Sequence, residues 1–408
     1  MKKIKYVVIS VVVIALGLWV WSRWDVWFHN PEEPPYTPQP YPHRVLLTFG
    51  DSDGRASRNV SWQCDSVLHA SWLELVALPD SDTVRIQAKG EVFRSRSGQA
   101  AFYVARLRGL KGDAAYSYRA VTNGKSSPWY SFTTPSDNSR LSFLYVGDVQ
   151  DTIDGKANCF LREAFEHHPQ SEFLVCGGDL TERPMDKFWA ETFRGLDGIG
   201  QTKPVLVVTG NHDYLKGVIM TLERRFSLIL SYFLDSKVGD NQVYTLSYGP
   251  AQFFLLDSNR EFPYLFTQRK WLRQQLQQSR AKWKIVILHH PLISIKHKNN
   301  NLFQRWAFKD LIEEYGVDLV LQGHEHAYGR FATRQPDNRP TTPVYTISHC
   351  SPKSYSVHSA DRFDIVSREG RYYQSVSINA DTLVMAAYDV YTHSAIDSIR
   401  IIKIRGRR

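Results

Sequence analysis

Six apolar runs of strand length, separated by stretches of helical periodicity, most constrain the fold of this 408-residue chain. Continuous apolar strands that alternate with helices are typical of a sheet covered on both faces, so the pattern predicts an α/β fold. The runs are Phe143–Val146, Phe173–Val175, Val205–Val208, Phe253–Leu256, Ile285–Leu288 and Leu319–Leu321. The helix candidates between them are Lys156–His168, Gln268–Ser279 and Phe303–Tyr315.

The region before these runs, from residue 44 to residue 135, has a different character. Short alternating segments such as Val45–Phe49, Asn59–Trp62 and Ala101–Ala105 are separated by turn residues, and no long helical pattern interrupts them. Such spacing is typical of a small β-sandwich. The end of the chain returns to strand-like segments, of which Leu383–Tyr388 and Ile399–Ile404 are examples.

The N-terminus carries an apolar run that could cross a membrane. Three lysines precede the run Tyr6–Trp21, which would span ~24 Å as a helix, and several tryptophans follow it. Residues 1–27 are therefore predicted to be a signal anchor that leaves the body outside the cytoplasm, periplasmic or extracellular. The alternative is a signal peptide cleaved near Ala15-Leu16-Gly17, which would give a secreted protein. Residues 28–40 are Pro-rich and predicted to form an extended spacer.

Composition excludes several classes of protein. Hydrophobic residues make up 43% and charged residues 22% of the chain, which are ordinary values for a globular protein. The net charge is +9, but basic residues do not form a run interleaved with aromatics, so no nucleic-acid partner is expected. The four cysteines lack CxxC spacing, and the oligomeric state stays open.

Polar residues of metal-binding type follow five of the six apolar runs. Open α/β sheets place their ligand sites at the carboxyl ends of the strands, so these side chains should converge. Burying them without a partner would cost several kcal/mol, which a pair of metal ions would offset. Carboxylate, imidazole and amide oxygen suit borderline metals, and a carboxylate such as Asp179 could bridge two ions that clamp a phosphoryl group. The residues are Asp148, Gln150, Asp179, Asn211, His212, Asp213, His289, His290, His324 and His326.

The ordered motifs GDVQ, GGDLTER, GNHD, LHHP and GHEHAYGR resemble those of the calcineurin-like metallophosphoesterase superfamily, and within it the purple acid phosphatases. They cover about 190 residues. Upstream, RLRGLKGDAAYSYRAV and WYSFTTP resemble the fibronectin-III-like N-terminal domain of that family. The resemblance implies a four-layer metallophosphoesterase β-sandwich flanked by helices over 141–408, preceded by an all-β fibronectin-III-like domain over 41–136.

The resemblance also implies residue roles, transferred motif by motif. The bridging ligand would be Asp179, and His212 would contact the phosphate and protonate the leaving group, with Asp213 orienting it. Further phosphate contacts would be His290 and Arg183. The first metal would be held by Asp148, Gln150, Asp179 and His326, and the second by Asp179, Asn211, His289 and His324.

Two positions depart from the family pattern. Glu182 stands where purple acid phosphatases have a tyrosine, and Gln150 stands where most of the wider superfamily has histidine. A neutral amide oxygen is a weaker ligand than imidazole or phenolate, so the first metal should bind more weakly and the protein should not be purple. Glu182 is a candidate substitute ligand. The expected cofactors are two divalent or mixed-valence ions, with Fe, Zn and Mn all open.

These features predict a membrane-tethered, exported, binuclear phosphoesterase that hydrolyses phosphate monoesters by attack of a metal-bound hydroxide. Its partner would be a small-molecule phosphate ester. One alternative is a phosphodiesterase that uses the same site, and no residue distinguishes the two. The other is a surface binding protein whose metal domain is degenerate, which the departures at Gln150 and Glu182 would favour.

Overall fold

The computed structural model describes residues 2–80, 82–135, 139–232, 238, 242–260, 262–334 and 340–403. Residue 1, residue 136 and the end of the predicted strand at Ile404 lie outside them. The first helix, α1, runs from Lys2 to Phe28, and its 27 residues reach ~40 Å. Its segment Ile4–Phe28 is long and apolar enough to cross a membrane and is not covered by the rest of the chain.

Nine strands follow α1 in the first region. They form two packed sheets around a core that includes Trp62, Tyr103 and Tyr118. One sheet has the order β4-β3-β7-β8, with β9 paired to β7. The strands are β1 His43–Phe49, β2 Ser57–Gln63, β3 Ser71–Leu78, β4 Thr83–Gln87, β5 Lys89–Arg94, β6 Gln99–Arg108, β7 Ala115–Thr122, β8 Lys125–Ser126 and β9 Tyr130–Thr133.

The larger region supplies the remaining elements. Its strands are β10 Leu141–Val146, β11 Phe173–Cys176, β12 Val205–Val207, β13 Tyr214–Leu215, β14 Thr221–Leu222, β15 Tyr244–Tyr248, β16 Ala251–Leu255, β17 Trp283–Ile287, β18 Leu319–Gln322, β19 Tyr328–Arg334, β20 Pro340–Ile347, β21 Ile365–Ser367, β22 Tyr372–Ile378, β23 Thr382–Asp389 and β24 Ala395–Ile402. Its helices are α2 Ala157–His167, α3 Asp186–Gly195, α4 Arg224–Ile229, α5 Phe262–Gln278 and α6 Leu302–Glu314.

Two large sheets pack face to face and form the centre of this region. One has the order β24-β23-β22-β10-β11-β12-β1-β2-β6-β5, and the other has the order β15-β16-β17-β18-β20-β19-β21. Side chains such as Phe143, Phe173 and Phe253 fill the space between them. Helices α2, α3 and α4 cover the outer face of the first sheet, and α5 and α6 cover the second. The predicted four-layer α/β fold is confirmed.

The two regions share a sheet. Strand β1 pairs in parallel with β12 through Thr48 and Val205, so the first sheet continues into strands β2, β6 and β5 of the N-terminal region. The sequence predicted two separate β-structures here. Because the pairing joins residues more than 150 positions apart, local alternation of side chains does not reveal it.

The Pro-rich segment after α1 packs against the body instead of separating it from the helix. The backbone N–H of Tyr36 donates to the carbonyl of Ser97 at 2.8 Å. Glu33 is buried and pairs with Arg225 of α4 through two hydrogen bonds of 2.6 and 3.0 Å. The end of α1 is therefore held against the larger region.

Candidate metal centre

The strand-end motifs converge on one buried cluster of ligand atoms. Strands β10, β11 and β12 run parallel in one sheet, as do β16, β17 and β18 in the other, so their carboxyl ends meet at one edge. Asp148, Asp179 and His289 each offer one ligand atom there, and these atoms all lie within 4.8 Å of one another. All three side chains are buried. Asp179 lies at the centre, with Oδ2 3.4 Å from Nε2 of His289.

The residues predicted to hold the second metal are Asp179, Asn211, His289 and His324, and we call them the second half-site. The side-chain oxygen of Asn211 lies 3.1 Å from Nε2 of His289 and 2.9 Å from Nδ1 of His324. The Nδ1 of His289 lies 2.9 Å from the carbonyl of Gly177, which can only accept, so Nδ1 carries a proton and Nε2 faces the centre. This contact fixes the ring in the orientation that a metal ligand needs.

The residues predicted to hold the first metal are Asp148, Gln150, Asp179 and His326, and we call them the first half-site. The Nε2 of His326 lies 3.3 Å from Oδ1 of Asp148, and its Nδ1 lies 3.2 Å from the carbonyl of Lys353. The Nε2 of Gln150 lies 3.0 Å from Nε2 of His326 and 3.5 Å from Oδ2 of Asp179. The Gln150 amide thus turns its terminal group towards two candidate ligands.

The residues of both half-sites fit a pair of metal ions. Among the residues that the structure describes, Oε1 of Gln150 and Oδ1 of Asp148 are buried without a hydrogen-bond partner. Since the two ends of a side-chain amide are assigned from their contacts, turning the Gln150 amide would aim this oxygen into the cluster. Carboxylate, imidazole and amide-oxygen donors are the set that Fe, Zn and Mn accept.

The backbone at the site is held in a rarely populated conformation. Four candidate ligands have left-handed φ angles: 46° at Asp148, 53° at Asp179, 72° at His324 and 45° at His326. Such angles persist only where the surrounding structure enforces them, and they concentrate at functional sites. The strand-end glycines permit this packing, since a Cβ on Gly210 would lie 2.1 Å from Oδ1 of Asp179.

The buried charges of the site are strongly coupled. Burial alone would raise the pKa of Asp179, but the neighbouring His289 and His212 hold it below its usual range. Burial likewise opposes a charge on His289, and the Asp179 and Asp148 carboxylates nevertheless raise its pKa to about 10. The pKa of Asp213 is raised well above its ordinary value by burial and by Asp179. The carboxylates of Asp179 and Asp148 thus form a cage in which a positive charge, here that of His289, is stabilised.

His212 lies at the edge of this cage. Its backbone N–H donates to Oδ1 of Asp179 at 2.8 Å, and its Nε2 lies 4.0 Å from Oδ2 of that residue. Its Nδ1 lies 2.5 Å from the carbonyl oxygen of Glu182. Asp213 instead accepts the backbone N–H groups of Gly210 and Asp179, at 2.8 and 3.2 Å. The structure thus corrects the sequence analysis: the Glu182 carbonyl orients the His212 ring, and Asp213 braces the loop backbone.

The two remaining predicted phosphate contacts differ in position. The His290 ring centroid lies 4.2 Å from that of His324, and its Nδ1 lies 3.0 Å from Oγ of Ser258. Burial and His289 hold the pKa of His290 well below its ordinary value, so it faces the site as a neutral group. Arg183, by contrast, has an exposed side chain.

Comparison with known proteins identifies the fold and the motifs. The family model described as calcineurin-like phosphoesterase matches residues 141–328, and the one described as purple acid phosphatase, N-terminal domain, matches residues 42–134. The chain is a calcineurin-like, purple acid phosphatase-like protein. The two matched segments include every candidate ligand named above.

Curated relatives show the same likeness, and a solved structure shows the same fold. The chain is 26% identical to purple acid phosphatase 22 of Arabidopsis thaliana over 236 residues, which cover 54% of this chain and 52% of the relative. It is 24% identical to purple acid phosphatase 21 of the same plant, with 72% of this chain and 67% of the relative covered. The chain thus spans about half to two thirds of their length. The purple acid phosphatase PPD1 from yellow lupin (Lupinus luteus) seeds has the same fold, with a TM-score of 0.72, 15% identity and coverage of 89% and 74%.

The departure from the purple acid phosphatase pattern at Glu182 has a structural counterpart that the sequence analysis missed. The Glu182 carboxylate pairs with Nζ of Lys353 at 2.7 and 2.8 Å, so it is engaged by a side chain outside the candidate ligand set. Two residues further on, the Tyr355 ring lies 4.4 Å from that of His326. A signal was present: Lys353 and Tyr355 follow β20, another parallel strand that ends at the same edge.

Proposed function

We propose that this chain is a binuclear metal-dependent phosphatase that hydrolyses phosphate monoesters, anchored by α1 with its body outside the cytoplasm. The observation that carries the proposal is the position of Asp179, whose carboxylate lies between the ligand atoms of both half-sites. Bound ions would supply an activated water and neutralise charge on the phosphoryl group. Asp148, Gln150, Asp179 and His326 would hold one ion, and Asp179, Asn211, His289 and His324 the other.

The chain's own residues would supply the proton. Because Nδ1 of His212 faces the Glu182 carbonyl, that nitrogen carries a hydrogen, and Nε2 is the atom turned to the site. A proton on Nε2 can pass to the oxygen of the departing alcohol. Neutral His290, held by Ser258, can donate a hydrogen bond to a phosphoryl oxygen. The apolar helix supports the anchor, and the curated relatives support the phosphatase chemistry.

The test compares His212→Ala with His167→Ala, a substitution of an exposed histidine on α2. Turnover of p-nitrophenyl phosphate and of its bis-ester is measured together with metal content per chain. We expect His212→Ala to lower kcat by roughly 10²–10⁴-fold with both metals retained, and His167→Ala to change neither. A His212→Ala variant that turns over at the parent rate contradicts the role of His212. If the unsubstituted chain turns over the bis-ester faster than the monoester, the phosphodiesterase alternative is favoured. If the unsubstituted chain contains no metal, the alternative of a surface binding protein is favoured.

A further inference from the structure

We propose that the hairpin Tyr214–Leu222 is a second membrane contact, which holds the metal centre at the bilayer surface and selects phosphate monoesters carried on lipid headgroups. This inference rests on the proposed phosphatase and on the membrane anchor, and it adds the substrate class. The hairpin pairs Tyr214 with Leu222 and Leu215 with Thr221. Its connecting residues, 216–220, read KGVIM.

The tip of the hairpin is apolar and points away from the protein. Val218 is 82% exposed and Ile219 is 65% exposed, which makes Val218 the most exposed of the large hydrophobic side chains that the structure describes. Isolated exposed apolar residues are common on soluble proteins, so exposure alone identifies no partner. The position of the tip beside the end of α1 indicates which partner it contacts.

The base of the tip is hydrogen-bonded to the end of the membrane helix. The Nζ of Lys216 donates to the carbonyl of Val26 at 2.8 Å, in the last turn of α1. The backbone N–H of Lys216 donates to Oδ1 of Asn30 at 2.9 Å, and Nδ2 of Asn30 donates to the carbonyl of Lys216 at 2.8 Å. Tryptophan is enriched at bilayer interfaces, and Trp24 and Trp27 lie in the same last turns of α1. The apolar tip therefore begins at the level where the helix leaves the membrane, and its occupant is the lipid surface.

A buried ion pair keeps the hairpin and the helix together. Glu33, five residues beyond α1, pairs with Arg225 on α4, which directly follows the hairpin, and both side chains are almost fully buried. Arg225 also donates to the carbonyl of Pro184 at 2.8 Å. Contacts thus tie the chain on both sides of the tip, at Lys216 and at Arg225, to the segment that leaves the membrane. This arrangement restrains the orientation of the body.

The hairpin directly follows the GNHD motif, which contains His212. Asn211–Asp213 forms a single 3-10 turn, and Tyr214 begins the first hairpin strand. Val218 lies five positions after Asp213, so the tip lies at most ~17 Å from the motif at ~3.3 Å per residue. An apolar segment in the interface reaches ~5–10 Å into the headgroup and acyl boundary. A headgroup phosphate at the level where the tip enters the lipid would therefore lie within ~17 Å of the motif that contains His212.

The first test measures the depth of the tip with the full chain in phosphatidylcholine vesicles. An environment-sensitive fluorophore is attached to Ile219→Cys in a Cys159→Ser background, because Cys159 is the part-exposed member of the four free cysteines. The control is Ile402→Cys. Ile402 is 59% exposed, and the pairing of β24, β23, β22 and β10 places it at the edge of the sheet where β10 begins, opposite to the edge that carries the metal ligands. We expect spin-labelled lipids to quench the label at 219 and to leave the label at 402 bright. Equal quenching at both positions would overturn the membrane contact.

The second test measures selectivity for lipid substrates. The full chain is reconstituted with phosphatidic acid in the same vesicles, and p-nitrophenyl phosphate is the soluble comparison. We expect the double variant Val218→Asp, Ile219→Asp to lose about tenfold or more of its turnover on the lipid and none on the soluble ester. The matched control, Val84→Asp with Ile402→Asp, should lose neither.

Undiminished turnover of the lipid by the hairpin variant, or equal loss on both substrates, would overturn the lipid selectivity. A parent chain that hydrolyses neither substrate would overturn the proposed function itself. The quenching experiment uses no turnover, so it decides the membrane contact in either case.

Discussion

The two halves of the metal centre are built by different means. In the second half-site, Asn211 lies between two imidazoles, and the backbone carbonyl of Gly177 fixes the His289 ring. In the first half-site, an amide takes the place of an imidazole, and the His326 ring depends on a carbonyl in the loop after β20. The departures from the family pattern are thus confined to one half.

This difference shows which contacts make a strong metal site. The His289 ring is held by a carbonyl directly after a strand and needs little ordering when an ion arrives. The His326 ring is held by a carbonyl in a longer loop, which must be ordered first. We therefore expect the second half-site to bind its ion more tightly than the first. The five substitutions below are ordered by the size of the change that this asymmetry predicts.

Asp179→Asn should abolish metal binding at both half-sites, because both share this carboxylate. The amide keeps the shape of the side chain but removes its charge. We expect both metals to be lost and turnover to fall by about 10³-fold or more, since the ions supply several kcal/mol of transition-state stabilisation. Elemental analysis measures the loss, with Asp154→Asn on the exposed surface as control. Two retained metals would contradict the bridging role.

His289→Ala should weaken only the second half-site. Its imidazole is buried and oriented by Gly177, so its loss should lower the affinity for that ion by about 100-fold. Gln150→Ala is the matched substitution in the first half-site and should lower the affinity of that half-site for its ion by about tenfold. Competition with a chelator of known affinity gives both values. The opposite ranking would show that the amide is the stronger ligand.

Gln150→His should reduce the asymmetry. An imidazole is a better ligand for these metals than a neutral amide oxygen, and the side chain is already buried beside His326 and Asp179. We expect the affinity of the first half-site to rise by about tenfold, with the second half-site unchanged. The same competition assay measures it. An unchanged or lower affinity would show that position 150 does not contact the ion.

Lys353→Met should produce the smallest effect. The Lys353 side chain pairs with Glu182, but it is 43% exposed, and exposed ion pairs contribute ~1 kcal/mol or less. We expect the affinity of the first half-site to fall less than about fivefold, since the loop carbonyl that holds His326 becomes less ordered. Lys187→Met, on the exposed surface of α3, is the control. A loss as large as that of Gln150→Ala would assign Glu182 or Lys353 a direct part in the site.

The sequence predicted the fold of the larger region because its signals are local. Each apolar run lies within a strand or overlaps it closely, and five of the six are followed within two residues by glycine or by His289. The end of a strand followed by such residues can be predicted from neighbouring positions in the sequence. The bounds differ by a few residues, as in α5, which begins at Phe262 rather than at Gln268.

The missed features are all long-range. Glu33 and Arg225 are 192 positions apart, and the composition of the Pro-rich segment shows no sign that it packs on α4. Glu182 and Lys353 are 171 positions apart, and neither is a usual member of the metal motifs. The orientation of His212 by a carbonyl rather than by Asp213 is a backbone contact, which residue identity does not encode.

The most direct test of the account is a metal titration of the metal-depleted full chain, with turnover of p-nitrophenyl phosphate followed at each step. The structure predicts two binding events per chain, a tight one at the second half-site and a weaker one at the first. Turnover should follow the weaker event, because both ions are needed to clamp the phosphoryl group. Saturation at one metal per chain, or full turnover after the tight event, would contradict the binuclear centre.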